Sequence, residues 1–255
     1  MLIDTHSHFY SKEFDYDLNE CIQRCKDNGI QKVLMPNIDV ESIDKMHFLE
    51  DGNTGFFKSM MGVHPCYVTG GYQKELEVCK SWFEKRNYCA VGEIGIDLYW
   101  DKNTLEIQQD AFRQQIRWAK ELGKAIAIHA RESFQEIFDI LDQENDKYLN
   151  GVFHCFTGGF EEVQKIMSYG GFKMGIGGVL TYKKSGLDKT VTQIPLSELV
   201  LETDSPYLAP TPKRGKRNES SYLLNIAEKL AEVKGETLKT VAEVTTGNAI
   251  DLFKL

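Results

Sequence analysis

Apolar residues along the chain fall into short runs separated by longer amphipathic stretches. The runs cover residues 2–5, 32–36, 58–63, 89–94, 125–129, 152–156, 172–176 and 199–202. Each is nearly continuous in apolar character, the pattern of a strand covered on both faces rather than one with a wet side. The stretches between them carry helical periodicity. Phe134, Ile137, Phe138 and Leu141 stand at i, i+3, i+4 and i+7 and predict one apolar stripe on a helix. Asn103 with Glu106 suits a capping pair for a long helix running to Leu122, and Gly123 supplies its stop. The pair Asn28-Gly29 ends the first helix by the same device.

About eight strand–helix alternations within 255 residues predict an α/β fold, a (β/α)8 TIM barrel. The alternative is an open doubly wound sheet. After the eighth run come a Pro-containing basic loop, 206–217, and extra C-terminal helices beginning near Asn218. No low-complexity segment or linker divides the chain, so residues 1–255 are expected to form a single domain.

Composition narrows the function. With 30 Lys and Arg against 38 Asp and Glu, the formal charge is −8, which argues against a protein that coats nucleic acid through positive charge alone. Gripping a few phosphates locally remains compatible with it. Hydrophobic residues make up 42% and charged residues 27%, ordinary values for a globular chain, so disorder and collagen-like repeats are excluded. Cys21, Cys25, Cys66, Cys79, Cys89 and Cys155 show no CxxC spacing and read as reduced, structural thiols. The start Met1-Leu2-Ile3-Asp4-Thr5-His6 has no signal-peptide pattern, and no apolar stretch approaches the ~20 residues of a membrane span. A cytoplasmic location, no membrane contact, no stable protein partner and a monomer are the expectations.

Four of the six histidines stand at the ends of predicted strands: His6 and His8 at the first, His129 at the fifth, His154 at the sixth. Glu93 on the fourth and Asp204 just past the eighth join them. In a barrel those ends converge on one face. Residues two apart on a strand point the same way, so His6 and His8 aim at one site. Neutral imidazoles and carboxylates suit divalent metal, and six donors exceed what one catalytic ion needs while keeping a water position open. Two ions sharing a bridging carboxylate fit better, which points to a binuclear hydrolase centre.

The motifs Ile3-Asp4-Thr5-His6-Ser7-His8, Gly62-Val63-His64-Pro65, Val91-Gly92-Glu93-Ile94-Gly95-Ile96-Asp97, His129-Ala130-Arg131, Phe153-His154-Cys155-Phe156 and Glu202-Thr203-Asp204-Ser205-Pro206-Tyr207 stand in that order, followed by Arg217-Asn218-Glu219 and Thr245-Thr246-Gly247-Asn248-Ala249. Together they resemble the TatD family of metal-dependent deoxyribonucleases, among the amidohydrolase-like barrels. The resemblance implies that His6, His8 and Asp204 hold one ion, His129 and His154 the other, and Glu93 bridges both. Asp204 and Glu93 are then the catalytic carboxylates, with Asp204 orienting or deprotonating water. It further implies that His64 and Arg131 approach a substrate phosphate, for which a bidentate guanidinium is well suited.

The implied activity is hydrolysis of DNA phosphodiester bonds, 3′→5′ on single-stranded ends, by water activated by two metals. Magnesium or manganese is the expected activating ion, with zinc, nickel or cobalt as other occupants of an imidazole-rich site. A barrel metallohydrolase acting on a small ester, amide or phosphoester is the alternative, and a non-catalytic binding barrel a weaker one. The Gly175-Ile176-Gly177-Gly178 segment is richer in glycine than that pattern suggests, and Ser220 stands where proline is common. Weaker signals are a basic cluster, Lys213, Arg214, Lys216 and Arg217, read as a solvated loop or as phosphate steering at the mouth, and Asp97, Tyr99 and Trp100, read as groove lining or loop packing. His47, in a helical segment, reads as a surface residue.

Overall fold

The computed structural model describes residues 1–255. Eight parallel strands follow the predicted runs: β1 Leu2–Asp4, β2 Ile30–Met35, β3 Phe57–Ser59, β4 Ala90–Asp97, β5 Ala125–Arg131, β6 Gly151–Phe153, β7 Phe172–Ile176 and β8 Leu199–Leu201. Regular pairing runs in two arcs, β1-β2-β3 and β4 through β8. Isolated bridges and a few backbone hydrogen bonds close the gaps between the arcs. Met61 bridges Val91, with Gly92 N–H donating to the Met61 carbonyl at 3.0 Å. Ser7 bridges Ser205, and Thr5 N–H donates to the Leu201 carbonyl at 3.0 Å. A barrel without free edges results, and the open doubly wound alternative does not hold.

β4 is buried along its whole length, as a strand with helices outside and side chains inside must be. The helices α1 Leu18–Asp27, α2 Ile43–Gly52, α3 Tyr72–Trp82, α4 Leu105–Leu122, α5 Phe134–Glu144, α6 Phe160–Ser168 and α7 Leu187–Thr192 lie in the β–α connections. α8 Leu223–Lys234 and α9 Leu238–Phe253 follow the last strand. In α5 the stripe turns Ile137, Phe138 and Leu141 inward, all buried. One apolar cluster of 58 buried residues joins barrel to helices, and a second of 12 lies around Ile3, Ala125 and Phe253.

Two expectations need correction. α4 is not capped by Asn103: a short 3-10 turn, Lys102–Thr104, precedes it, and the Asp101 carboxylate accepts from Asn103 N–H. An Asp two residues earlier satisfied that N–H first. Gly123 does end α4 in the left-handed conformation, φ +61°. His47 is no surface residue but 7% exposed on α2, because its Nε2 pairs with the Tyr88 hydroxyl at 2.8 Å. The basic loop stays exposed at Arg214 and Lys216, as a solvated loop would, yet it is also tied down. Arg217 pairs with Asp17 and Glu219, the Arg214 guanidinium lies 4.3 Å from the Tyr182 ring centre, and Lys213 lies over Tyr222.

All six cysteines are free, four of them buried. No helix is long and apolar enough to cross a membrane.

Candidate metal centre

The six expected donors meet at one end of the barrel, though four stand just beyond strands rather than on them. His6 and His8 follow β1, flanking the residue that bridges to Ser205, so they still project to the same side. His154 follows β6 and Asp204 follows β8. Glu93 and His129 lie within β4 and β5. The chain is pinned hard at these points. Asp204 and Cys155 take left-handed backbone conformations, φ +57° and +46°, which cost a non-glycine residue about 1–3 kcal/mol each. The buried Asp4 carboxylate, accepting from Thr203 N–H, the Thr203 hydroxyl and His6 N–H, ties the ends of β1 and β8 together.

Glu93 is the hub. Its Oε2 lies 3.1 Å from His6 Nε2 and 3.6 Å from His8 Nε2. Its Oε1 lies 2.8 Å from His129 Nδ1, 3.0 Å from His154 Nε2 and 3.3 Å from His64 Nε2. Asp204 Oδ1 stands on the His6–His8 side, 3.5 Å from His8 Nε2 and 3.9 Å from His6 Nε2. The carboxylate thus divides its two oxygens between two sets of imidazoles.

Hydrogen-bond partners fix which ring nitrogens hold lone pairs, assigned from the network. The Tyr10 hydroxyl spends its proton on the Pro36 carbonyl at 2.6 Å, so His8 Nδ1–H donates to Tyr10 and His8 Nε2 faces the centre unprotonated. His129 Nε2–H donates to Asp97 Oδ2 at 2.8 Å, which leaves its Nδ1 lone pair facing Glu93. Such nitrogens pressed against a carboxylate oxygen repel it unless a cation or a proton lies between. The residues therefore fit a divalent metal.

His64 differs. Its Nδ1 accepts from Cys66 N–H at 3.1 Å, so its Nε2 carries the proton and is a donor. That polarity suits an anionic substrate oxygen better than a metal, although His64, Glu93 and His129 lie close enough to be grouped as ligands.

Ionisation follows from the crowding. Burial would raise Glu93, but His64, His154 and His6 hold it well below the usual carboxylate range. Burial would likewise raise Asp204, which His8, His154 and His6 pull down. Burial pushes His6 and His64 below the ordinary imidazole value, with neighbouring histidines adding to the effect. His154 goes well above its ordinary value despite burial, because Glu93 and Glu202 face it. His129 also rises against burial, through Asp97 and Glu93.

Two supporting carboxylates were barely legible in the sequence. Asp97, held down to about 2 against burial chiefly by its bond to His129, orients that ring and also lines the cavity. Glu202 lies behind His154, its Oε1 3.3 Å from Nδ1 and accepting Cys155 N–H as well. His154 Nδ1 makes no hydrogen bond, so the contact is electrostatic. Glu202 also accounts for the glycine-rich seventh strand, because a Cβ on Gly175 would sit within 2.2 Å of its Oε2. The signal was available: a glycine in a buried strand marks a close approach.

The centre opens into a cavity of about 620 Å3 lined also by Tyr67, Trp100, Arg131, Tyr207 and Leu208. Arg131 follows His129 with one residue between, and its guanidinium stacks 3.7 Å from the Tyr99 ring centre.

Comparison with known proteins agrees with this construction. A family profile described as "TatD related DNase" matches residues 3–254. An uncharacterized metal-dependent hydrolase of Bacillus subtilis, YabD, is 36% identical over 257 residues, covering 100% of both chains. A protein of Pantoea vagans named 3′-5′ ssDNA/RNA exonuclease TatD is 30% identical, covering 96% of each. The crystal structure of YjjV, a TatD homologue from Escherichia coli, superposes with TM-score 0.93 at 27% identity, covering 100% of this chain and 98% of that one. The parallel barrel, the clustered donors and these matches together establish that the chain belongs to the TatD family of metal-dependent hydrolases.

Proposed function

We propose that this hydrolase cleaves phosphodiester bonds in DNA, working inward from single-stranded 3′ ends with two divalent ions. The reading rests above all on Glu93, whose two oxygens face separate imidazole sets. His6, His8 and Asp204 would hold one ion, His129 and His154 the second, with Glu93 shared. Bound ions supply Lewis acidity at the phosphoryl oxygens and lower the pKa of water nearby. Magnesium or manganese suits the activity, and the imidazoles also accept zinc, nickel or cobalt.

The chain's own groups do the remaining work. Asp204 is the more accessible central carboxylate, 14% exposed against 3% for Glu93. Held ionised by its histidine neighbours, it can accept a proton from attacking water. Arg131 places a permanent charge at the cavity wall for a phosphate oxygen, and His64 Nε2–H adds a donor. Trp100 and Tyr207, both well exposed on the rim, offer faces on which bases stack without regard to sequence. The pairing of a phosphate-seeking arginine with exposed rings favours a strand of nucleic acid.

The test is a labelled oligonucleotide incubated with magnesium or manganese, with chelator, and with Glu93→Ala and His129→Ala. Stepwise shortening from the 3′ end that needs metal and is lost in both variants is expected. Degradation that survives both substitutions overturns the reading. An intact oligonucleotide beside rapid turnover of a small ester, amide or phosphoester would transfer the site to the alternative substrate class. A steep fall in activity with salt belongs to the nuclease reading, since phosphate contacts release counterions.

A further inference from the structure

Opposite the metal centre, at the end of the barrel where the strands begin, lies a second cavity of about 520 Å3. Five cationic side chains line it, Lys32, Lys58, Arg86, Lys124 and Lys254, in a chain of net charge −8. Two acidic side chains line it as well, and both are engaged. Glu50 pairs with Lys58 at 3.2 Å and with Arg86 at 3.4 Å, while Asp51 is gripped by Arg86.

The remaining three lysines have no acidic partner. Lys32 donates to the Gly55 carbonyl at 3.2 Å, Lys124 to Asn87 Oδ1 at 2.8 Å and Lys254 to the Gly123 carbonyl at 3.0 Å. Each of these ammonium groups has donors left over, since three N–H bonds are available and one is used. Burial depresses the Lys124 ammonium, and Lys254 and Lys58 add to the effect, so the positive charges act on one another. The floor between them is apolar but closed, since Phe57, Ala125, Leu252 and Phe253 are buried in the core.

Uncompensated like charge gathered around a concavity costs free energy that a multiply charged anion would recover. Bare phosphate would fill only a small part of this volume, which leaves room for the organic body of a phosphate ester. We infer that this cavity, ringed by Lys32, Lys124 and Lys254, binds a small phosphate ester of about the size of a nucleoside monophosphate. The site is separate from the metal centre and does not depend on the nuclease reading.

Pyridoxal 5′-phosphate is a suitable probe because it combines a phosphate ester and an aldehyde that condenses with an unprotonated lysine amine. The metal-loaded protein would be treated with it, reduced with borohydride, and mapped by mass spectrometry. Lys124 is expected to be labelled ahead of exposed lysines such as Lys183, Lys184 and Lys239. Adenosine 5′-monophosphate at ten times its Kd should reduce that labelling about tenfold, by occupancy. Adenosine, and chloride at equal ionic strength, should not.

Lys32→Gln with Lys254→Gln leaves Lys124 in place and should abolish the protection, with hydrolase activity and thermal melting serving as controls for the fold. Labelling spread evenly over exposed lysines, or indifferent to the nucleotide, overturns the inference. Protection by inorganic phosphate equal to that by the nucleotide overturns the inference of a phosphate ester and leaves only a simple anion site. Because labelling is read at the lysines themselves, a failed oligonucleotide assay leaves this result unaffected.

Discussion

At the scale of single residues, the proposed centre combines groups placed to hold ions with groups that back them. A carboxylate behind a ligating imidazole fixes the ring and raises its basicity. Glu202 stands in that relation to His154, and Asp97 to His129. Glu202→Gln removes the charge while keeping the shape, and metal affinity is expected to fall about 10–100-fold. A competition titration with a chromophoric chelator reads this directly, and unchanged affinity would mean the contact is incidental.

His64 should behave oppositely. His64→Ala is expected to leave metal content intact and to lower kcat/KM about 10²–10³-fold, the usual loss for one oriented donor to a developing charge. Elemental analysis beside steady-state kinetics separates a substrate donor from a ligand. The six central donors were legible because histidine is rare in this chain and recurs at strand ends. The supporting carboxylates were not, since Asp97 and Glu202 are ordinary acids until the fold sets an imidazole beside them. His47 misled for a related reason: its partner Tyr88 is 41 residues away.

Among elements, alternation of apolar runs with amphipathic stretches was enough to locate all eight strands, because burial on both faces leaves a continuous apolar signal. Local capping was less legible, since Asp101 competes with Asn103 for the same turn and only geometry decides between them. β7 shows how an element serves the site from outside it. Gly175→Ala would drive a methyl into the Glu202 carboxylate, and a cost of about 1–3 kcal/mol is expected from the overpacking. Urea unfolding of the metal-free protein measures it, and a neutral result would show that Glu202 has room to move.

The 206–217 loop returns to the barrel through Arg217 on Asp17 and Glu219. Both carboxylates are held below their ordinary values, Asp17 through its bond to Arg217 and, against the effect of burial, Glu219 through Arg24. Groups depressed in the folded state add stability above their unfolded pKa and lose it as pH falls through the folded one. Titration from pH 5 toward pH 2 should therefore destabilise wild type more than Arg217→Ala, which has already surrendered part of the pairing. Parallel melting curves over that range would contradict the idea if the gap failed to narrow.

Over the whole molecule, strain and charge at the mouth of the barrel couple metal binding to pH and to stability. Without ions, Glu93 faces five imidazoles, and His154 and His129 hold protons above the ordinary histidine range because carboxylates surround them. Binding a cation must expel those protons, so affinity rises with pH and falls as the solution becomes acid. Metal content after equilibration is accordingly expected to be high at pH 7.5 and largely lost below about pH 6, where histidine ligands protonate. Ions bound to the folded state alone stabilise it by mass action, about 2.7 kcal/mol at a concentration one hundred times Kd. For a chain of this size each kcal/mol moves Tm by about 2–4 °C. Chelation should then lower Tm by several degrees at pH 7.5 and by almost nothing at pH 5, where the ions have already left. Calorimetry at the two pH values, with and without chelator, measures both terms together. A chelator effect of equal size at pH 5 would show that the ions are not held by titrating imidazoles, and the centre built around Glu93 would have to be abandoned.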